Sequence, residues 1–160
     1  MTFTPPTEEQ LFALRISAGI AELATHERFA SASDDVVEAI VAGAGEFAAA
    51  EWAPLNRIGD TDGAKLKDGV VSLPAGFAEA YQAYVEAGWN GINAPEASGG
   101  QGLPFALAIA AFENLGSANL AFSLLPMLTL GSIEALLHHG SAEQQALYLS
   151  RIVSGEWTGT

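Results

Sequence analysis

The sequence contains no cysteine. That rules out a disulfide framework, a thiolate metal site and a cysteine nucleophile, and it points to a reducing, intracellular setting. Basic residues are scarce as well: six Lys and Arg face nineteen Asp and Glu, a formal net charge of -13. A surface so acidic repels phosphate backbones and anionic headgroups, so nucleic acid and anionic lipid are not expected as partners. Long hydrophobic runs are missing too. The most apolar stretch, from Ala118 to Leu125, falls short of the roughly twenty residues that cross a bilayer, and the segment after Met1 is polar and acidic, unlike a signal peptide. The expected setting is therefore soluble and cytoplasmic, with no membrane span. No G-x-x-x-x-G-K phosphate loop is present, and Ser17, Ser72, Ser98, Ser123 and Ser132 lie in no G-x-S-x-G elbow. Nucleoside triphosphate chemistry and serine hydrolysis are left without support.

What the chain has in quantity is apolar helix-forming sequence. Hydrophobic residues make up 49% of its 160 positions and charged ones 16%, enough for one domain that buries roughly two thirds of its unfolded surface. The apolar surplus predicts burial against a partner or a further domain. Thr7-Glu8-Glu9-Gln10 fits a capping box, and Leu11, Leu14, Ile16, Ile20, Leu23 and Phe29 recur near helical spacing, which predicts a first helix to about Phe29. Ser33 with Asp34 and Asp35 opens a second, lined by Val36, Val37, Ile40, Val41, Ala44, Phe47 and Ala48, that ends at Pro54 and folds back on the first. Residues 54–76 are turn-rich, with Asp62-Gly63 and Asp68-Gly69 around a short segment that suits a small hairpin or ordered loop. A third helix covers 77–87 and stops at Gly88; the stretch 89–104 is irregular. Pro104 opens a fourth, Gly116-Ser117 punctuates it, and a fifth runs from Ala118 to about His139, apolar nearly all round in its first half and kinked at Pro126. Ser141-Ala142-Glu143-Gln144 caps a sixth that reaches Val153. The β-branched and aromatic residues of 156–160 read as the start of a strand.

The chemical candidates are thin. Gly43-Ala44-Gly45-Glu46-Phe47-Ala48 matches a dinucleotide fingerprint in form, but the apolar spacing stays helical through it, so small residues at a close helix crossing are the better reading. His138 and His139, with Glu134 as the nearest carboxylate, suit helix-end electrostatics better than a metal or a general base. Glu113 and Glu134 are read as surface carboxylates rather than buried acids. Gly99-Gly100-Gln101-Gly102 is either an anion cradle built from backbone N–H groups or a tight chain reversal, and the reversal is favoured.

Several of these segments together resemble a known family. The run Gly88-Trp89-Asn90-Gly91-Ile92-Asn93-Ala94-Pro95-Glu96, then Gly99-Gly100-Gln101-Gly102-Leu103-Pro104, then Glu113-Asn114-Leu115, is similar to the amino-terminal domain of the acyl-CoA dehydrogenases. Gly140-Ser141, Gln144-Gln145, Tyr148-Leu149 and Val153-Ser154-Gly155-Glu156-Trp157 extend the likeness, which covers about 47–160 and is poor before that. The long first helix pair and the 54–76 insertion resemble the larger, atypical bacterial branch. The resemblance implies amino-terminal helices, a middle β-domain and a carboxy-terminal helical bundle, with FAD held mainly by the latter two. It also implies α,β-dehydrogenation of an acyl-CoA thioester in fatty acid metabolism and an electron-transfer flavoprotein as partner. The family's Thr-Glu-Pro flavin-contacting motif and its catalytic glutamate both fall beyond Thr160. No catalytic, cofactor-binding or metal-binding residue is assigned to this chain. What transfers is the far wall of the acyl pocket: matching back from Leu130-Gly131 places Phe122, Ser123, Pro126, Met127 and Leu130 on or near it.

The expectation is thus an all-α bundle of about six helices with a small hairpin insertion, residues 1–155, cut at the first residues of a β-domain, 156–160. It is a substrate-pocket domain that binds no flavin by itself and is inactive alone, within a parent enzyme that is a homo-oligomer. The rival is a stand-alone helical protein-interaction module.

Overall fold

The structure, a computed structural model, describes residues 3–160; the reading of the chain's start at Met1 and Thr2 lies outside the described residues. Two helices form the centre, α3 (Asp34–Phe47) and α6 (Phe105–Ala118). Small residues let them approach: Ala44 on one side meets a wall of Leu107, Ala108 and Ala111 on the other, and Val37, Val41, Leu14 and Ile20 complete a core from which water is excluded. The acidic first turn of α3, Asp34 and Asp35, complements the helix dipole. Ser33 sits at its cap position, yet its hydroxyl donates to Asp35 Oδ1 and accepts no backbone N–H.

The amino-terminal helix is shorter than its periodicity predicts. α1 (Thr7–Phe12) loosens into a π turn, Ala13–Ser17, and Gly19 at φ +60° separates it from the single turn α2 (Ile20–Leu23). The capping box at Thr7 does not form, because Thr7 is already helical and the Gln10 side chain is drawn across to α6. There Gln10 Nε2 donates to the Ala110 carbonyl at 3.1 Å and to Glu113 Oε2 at 2.9 Å, and Gln10 Oε1 accepts from Asn114 Nδ2 at 2.9 Å. This buried polar pair ties the first helix to the centre.

After α3 a π turn, Ala48–Trp52, carries the chain to Pro54, where an unexpected helix begins, α4 (Leu55–Thr61). Beyond it stands the hairpin, β1 (Lys65–Lys67) paired antiparallel with β2 (Val70–Ser72), with Lys65 opposite Ser72 and Leu66 opposite Val71. Positive φ at both Asp68 and Gly69 gives the primed turn that such hairpins favour. α5 (Phe77–Glu86) ends through Gly88 at φ +79°, as expected. Pro104 caps α6 rather than opening it. Gly116 and Ser117 stay helical, and the break falls at Asn119 (φ -154°, ψ 89°).

α7 (Leu120–His139) passes through Pro126 without interruption. At 20 residues it is long and apolar enough to cross a bilayer by length and composition, which the shorter run 118–125 alone is not. Its Phe122, Ser123, Pro126, Thr129 and Ile133 are buried within the domain, while the rest of the helix is half-buried or exposed. A first half that is apolar nearly all round implies burial on every side, and the structure corrects that: Leu120, Leu124, Met127 and Leu128 are exposed. Ser141 and Gln144 form the reciprocal capping box of α8 (Ala142–Gln144), and the helix continues through a π turn into α9 (Ser150–Val153). Residues 156–160 form no strand. Trp157 N–H instead donates to the Arg151 carbonyl and its ring sits 4.6 Å from the Arg151 guanidinium.

Candidate functional site

The start of α7 is set by Asn119. Its Oδ1 accepts the Phe122 N–H at 3.0 Å, and its Nδ2 donates to the Trp52 carbonyl at 3.3 Å, so one side chain both caps α7 and fastens it to the π turn after α3. Phe122 then stacks on Trp52 with centroids 4.4 Å apart and meets Phe77 at 4.9 Å, while Tyr84 lies 5.5 Å from Trp52 on its other side. Burial pushes the Tyr84 phenol well above its ordinary range, so it stays neutral. Pro126 lacks the N–H that would bond Phe122, and the helix survives because packing on its buried side holds it.

Phe122, Ser123, Pro126, Met127 and Leu130 follow helical spacing i, i+1, i+4, i+5 and i+8, which gathers them on one stripe of α7. The stripe runs from the core to the surface: Phe122 is 6% exposed, Ser123 and Pro126 are buried, Leu130 is half-buried and Met127 is 45% exposed. Beside it, α4 and α7 enclose a groove of about 750 Å³ lined by Asn56, Arg57, Gly59, Asp60, Leu120, Ala121 and Leu124. None of the five residues lines this groove. Its apolar wall belongs to the neighbouring stripe of the same helix, and its polar mouth comes from α4, the element that sequence periodicity did not reveal.

The glycine loop 99–102 holds no anion cradle. Gly99 N–H donates to Glu96, Gly100 to Pro95, Gln101 to Gly91, Gly102 to Ala94 and Leu103 to Ile92, each to a carbonyl at 2.9–3.1 Å. With every one of these donors engaged, nothing is left to receive a phosphate. A side chain at Gly100 would collide with the Ala94 carbonyl. The loop is a tight reversal, and the end of the chain is held from other elements. Asn90 Nδ2 donates to the Ile152 and Val153 carbonyls at 2.7 and 3.1 Å, the Tyr81 hydroxyl donates to the Gly155 carbonyl at 3.0 Å, and Thr129 Oγ1 accepts the Gly159 N–H at 3.3 Å.

This combination of a tight glycine reversal, an apolar helix at the domain face and a tail pinned across it can be set beside known proteins. The profile of the acyl-CoA dehydrogenase N-terminal domain matches residues 34–156. Among curated relatives, 3-methylmercaptopropionyl-CoA dehydrogenase of Ruegeria pomeroyi is 37% identical over 160 residues, all of this chain and 27% of that protein. The chain belongs to the acyl-CoA dehydrogenase family. It spans about a quarter of the length of that relative. The matched region of this acyl-CoA dehydrogenase domain begins at α3 and takes in the hairpin, the reversal, α7 and the start of the tail. The likeness reaches further back than about residue 47: the profile begins at Asp34, and the alignment with the relative takes in the whole chain.

Several titratable groups make structural contacts. Glu134 accepts from Asn93 Nδ2 at 3.1 Å and lies 3.3 Å from His138 Nε2, one turn along α7. Among the described residues no group of three His, Asp or Glu is placed to hold a metal. Arg15 donates to both Asp34 oxygens at 2.9 and 2.8 Å and also bonds Glu38. Those hydrogen bonds raise the guanidinium further and hold the Asp34 carboxyl below its usual value. The fingerprint-like Gly43 and Gly45 lie inside α3, not at a strand-to-helix turn, and pack near Trp89 and Pro5.

Proposed function

We propose that the chain is the amino-terminal domain of a longer flavin-dependent acyl-CoA dehydrogenase, in which it supplies part of the wall around the substrate's acyl tail. The observation that carries this reading is α7: a family member's apolar helix whose stripe Phe122, Ser123, Pro126, Met127 and Leu130 leads from an aromatic core out to a surface that this domain leaves uncovered. An alkyl chain needs apolar area and shape more than polar contacts, and such a helix provides both. In this scheme Phe122 and Pro126 brace the wall from behind, while Met127 and Leu130 meet the tail. The named relative's substrate carries a short thioether, a group about as apolar as the alkyl chain it interrupts, and the flexible Met127 side chain suits it.

The residues present do not fit FAD. The dinucleotide pyrophosphate needs free backbone donors or cations, whereas the N–H groups of 99–103 are all engaged and the G-A-G sequence is buried in a helix. In this reading flavin is held by other parts of the longer protein, where the family resemblance also puts the catalytic base, and this chain alone is inactive and colourless. A cytoplasmic homo-oligomer that passes electrons to an electron-transfer flavoprotein, within fatty acid metabolism, completes the reading.

The test is to express the open reading frame through and beyond Thr160 and follow acyl-CoA-dependent reduction of an artificial electron acceptor. Acyl-CoA-dependent turnover is expected, with Met127→Trp raising KM for longer acyl groups more than for short ones. A folded, flavin-loaded protein that reduces no acceptor with any acyl-CoA overturns the proposal, and a stoichiometric flavin spectrum from the 160-residue chain alone would show the cofactor to be misplaced. The rival reading, a stand-alone interaction module, draws on the same uncovered apolar residues; a stop codon directly after Thr160 would favour it.

A further inference from the structure

Residues 155–160 form a strap that joins α5 to the middle of α7, and two glycines seat it. Gly155, at φ +74°, accepts the Tyr81 hydroxyl on its carbonyl at 3.0 Å and lies so close to Val85 that a side chain there would strike it. Four residues on, the Gly159 N–H donates to Thr129 Oγ1 at 3.3 Å. Between the two seats the Trp157 ring rests on the Arg151 guanidinium. Of residues 156–160, Gly159 alone is buried.

The second seat admits only a glycine. A Cβ on Gly159 would overlap the Ser132 side chain and reach the Leu128 carbonyl at 3.5 Å. Thr129 is 1% exposed, and its hydroxyl proton is already committed, since Oγ1 donates to the Leu125 carbonyl at 3.0 Å. What the hydroxyl has left is acceptor capacity, and the Gly159 N–H uses it. Leu128 and Ser132 stand one turn apart, so the strap borders the exposed apolar face of α7 along its Leu128 edge. Met127 and Leu130 lie toward the opposite edge of that face.

We propose that Gly159 and Thr129 are positioning residues for the acyl wall: by seating the strap they fix the width of the apolar face left open to an acyl group. Neither residue touches that group. Glycine lets the strap backbone come as near to α7 as side chains allow, so the border stands at its closest setting and any displacement widens the space. A wider space admits a methyl branch that the closed border turns away, while a straight chain is little affected. This rests on the acyl-wall reading above and adds the contact that sets the wall's width.

Two measurements test it. In the 160-residue chain, amide hydrogen exchange followed by NMR should find the Gly159 N–H protected. Thr129→Val keeps the side chain's shape and removes the acceptor, and should speed that exchange about tenfold; Thr129→Ser keeps the acceptor and should not. In the longer enzyme, Gly159→Ala and Thr129→Val should each lower KM for isovaleryl-CoA relative to its straight isomer valeryl-CoA by about threefold, with kcat little changed. Thr129→Ser should keep the wild-type ratio, and Thr129→Val carries the test should Gly159→Ala fail to fold. A loss of stability alone would move no such ratio. A Gly159 amide that exchanges freely in wild type, or that is indifferent to Thr129→Val, removes the seat and overturns the proposal while the acyl-wall reading stands. A protected amide with an unchanged KM ratio in every folded variant overturns the positioning role, again with that reading intact. A flavin-loaded longer protein that turns over no acyl-CoA overturns both.

Discussion

Phe122 and Met127 stand five residues apart on one helix, and their replacement by alanine separates the core end of the α7 stripe from its surface end. Phe122 is 6% exposed and lies between Trp52 at 4.4 Å and Phe77 at 4.9 Å. Removing such a ring costs about 3–5 kcal/mol through lost transfer and the cavity left behind. The stacked geometry with two partners argues for the middle of that range or above, about 4 kcal/mol, since aromatic pairs add to the effect of area alone. Against a domain stability of about 5–15 kcal/mol this is a large fraction. For a chain of this length it corresponds to a fall in Tm of roughly 8–16 °C. Met127 is 45% exposed, and its truncation should cost below about 1 kcal/mol. Urea and thermal unfolding followed by circular dichroism and by tryptophan fluorescence measure both. A Phe122→Ala loss under about 1.5 kcal/mol, or a Met127→Ala loss that exceeds it, would refute the division of the stripe into brace and contact surface.

Other consequences follow from single contacts. Asn119→Ala removes both the α7 cap and the bond to Trp52, and should cost about 1–2 kcal/mol in urea titration; Asn119→Asp, which keeps the capping oxygen, should recover part of it. Gly100→Ala forces a methyl group into the Ala94 carbonyl, so a soluble variant should show raised amide exchange across 91–103. Inorganic phosphate should leave the amide NMR shifts of Gly99, Gly100 and Gly102 unmoved, since those N–H groups already have carbonyl partners. The Asp34 carboxyl is held below its ordinary value by hydrogen bonds from Arg15. Its contribution to stability is therefore present above the unfolded value, near pH 4, and is lost as pH falls through the lower folded value. Arg15→Ala should be less stable than wild type near neutrality and converge with it in acid.

Where periodicity and burial agree, the sequence was a sufficient guide. α3 shows this: Val37, Val41, Ala44 and Ala48 form one stripe and all four are buried. The capping box at Ser141 is another case, because no tertiary partner competes for Gln144. The failures have a common cause, which is competition from elsewhere in the fold. Gln10 leaves its local role at Thr7 for the Ala110 carbonyl a hundred residues away. Gly19 lies within an apolar pattern that reads as continuous helix, yet takes φ +60°. α4 hides behind Pro54, Gly59 and Asp60, residues that suit turns, although Pro54 sits well at a helix start. Gly116-Ser117 looked like the break before α7, but the break went to Asn119, whose side chain can satisfy both the new helix and Trp52. Of the candidate site, the stripe on α7 was legible and the groove beside it was not, because the groove needs α4.

The outer face of α7 joins these points. A helix apolar nearly all round must be covered on every side, and that inference from sequence is sound as physics. The domain covers only one side: Phe122, Pro126, Thr129 and Ile133 are buried while Leu120, Leu124 and Leu128 are not. The uncovered apolar surface lies mostly on the first half of the helix, where Leu120 and Leu124 line the groove beside α4, and continues to Met127 and Leu128. In a family member that spans a quarter of its relative's length, that surface has two claimants, the acyl tail of a substrate and neighbouring protein. Met127 and Leu130 distinguish them. In the longer enzyme proposed above, protein packed against both would make Met127→Ala costly to stability, whereas an acyl tail would leave the unliganded enzyme's stability nearly unchanged and shift KM. The two outcomes differ in which measurement moves, so one variant decides what the exposed end of the stripe is for.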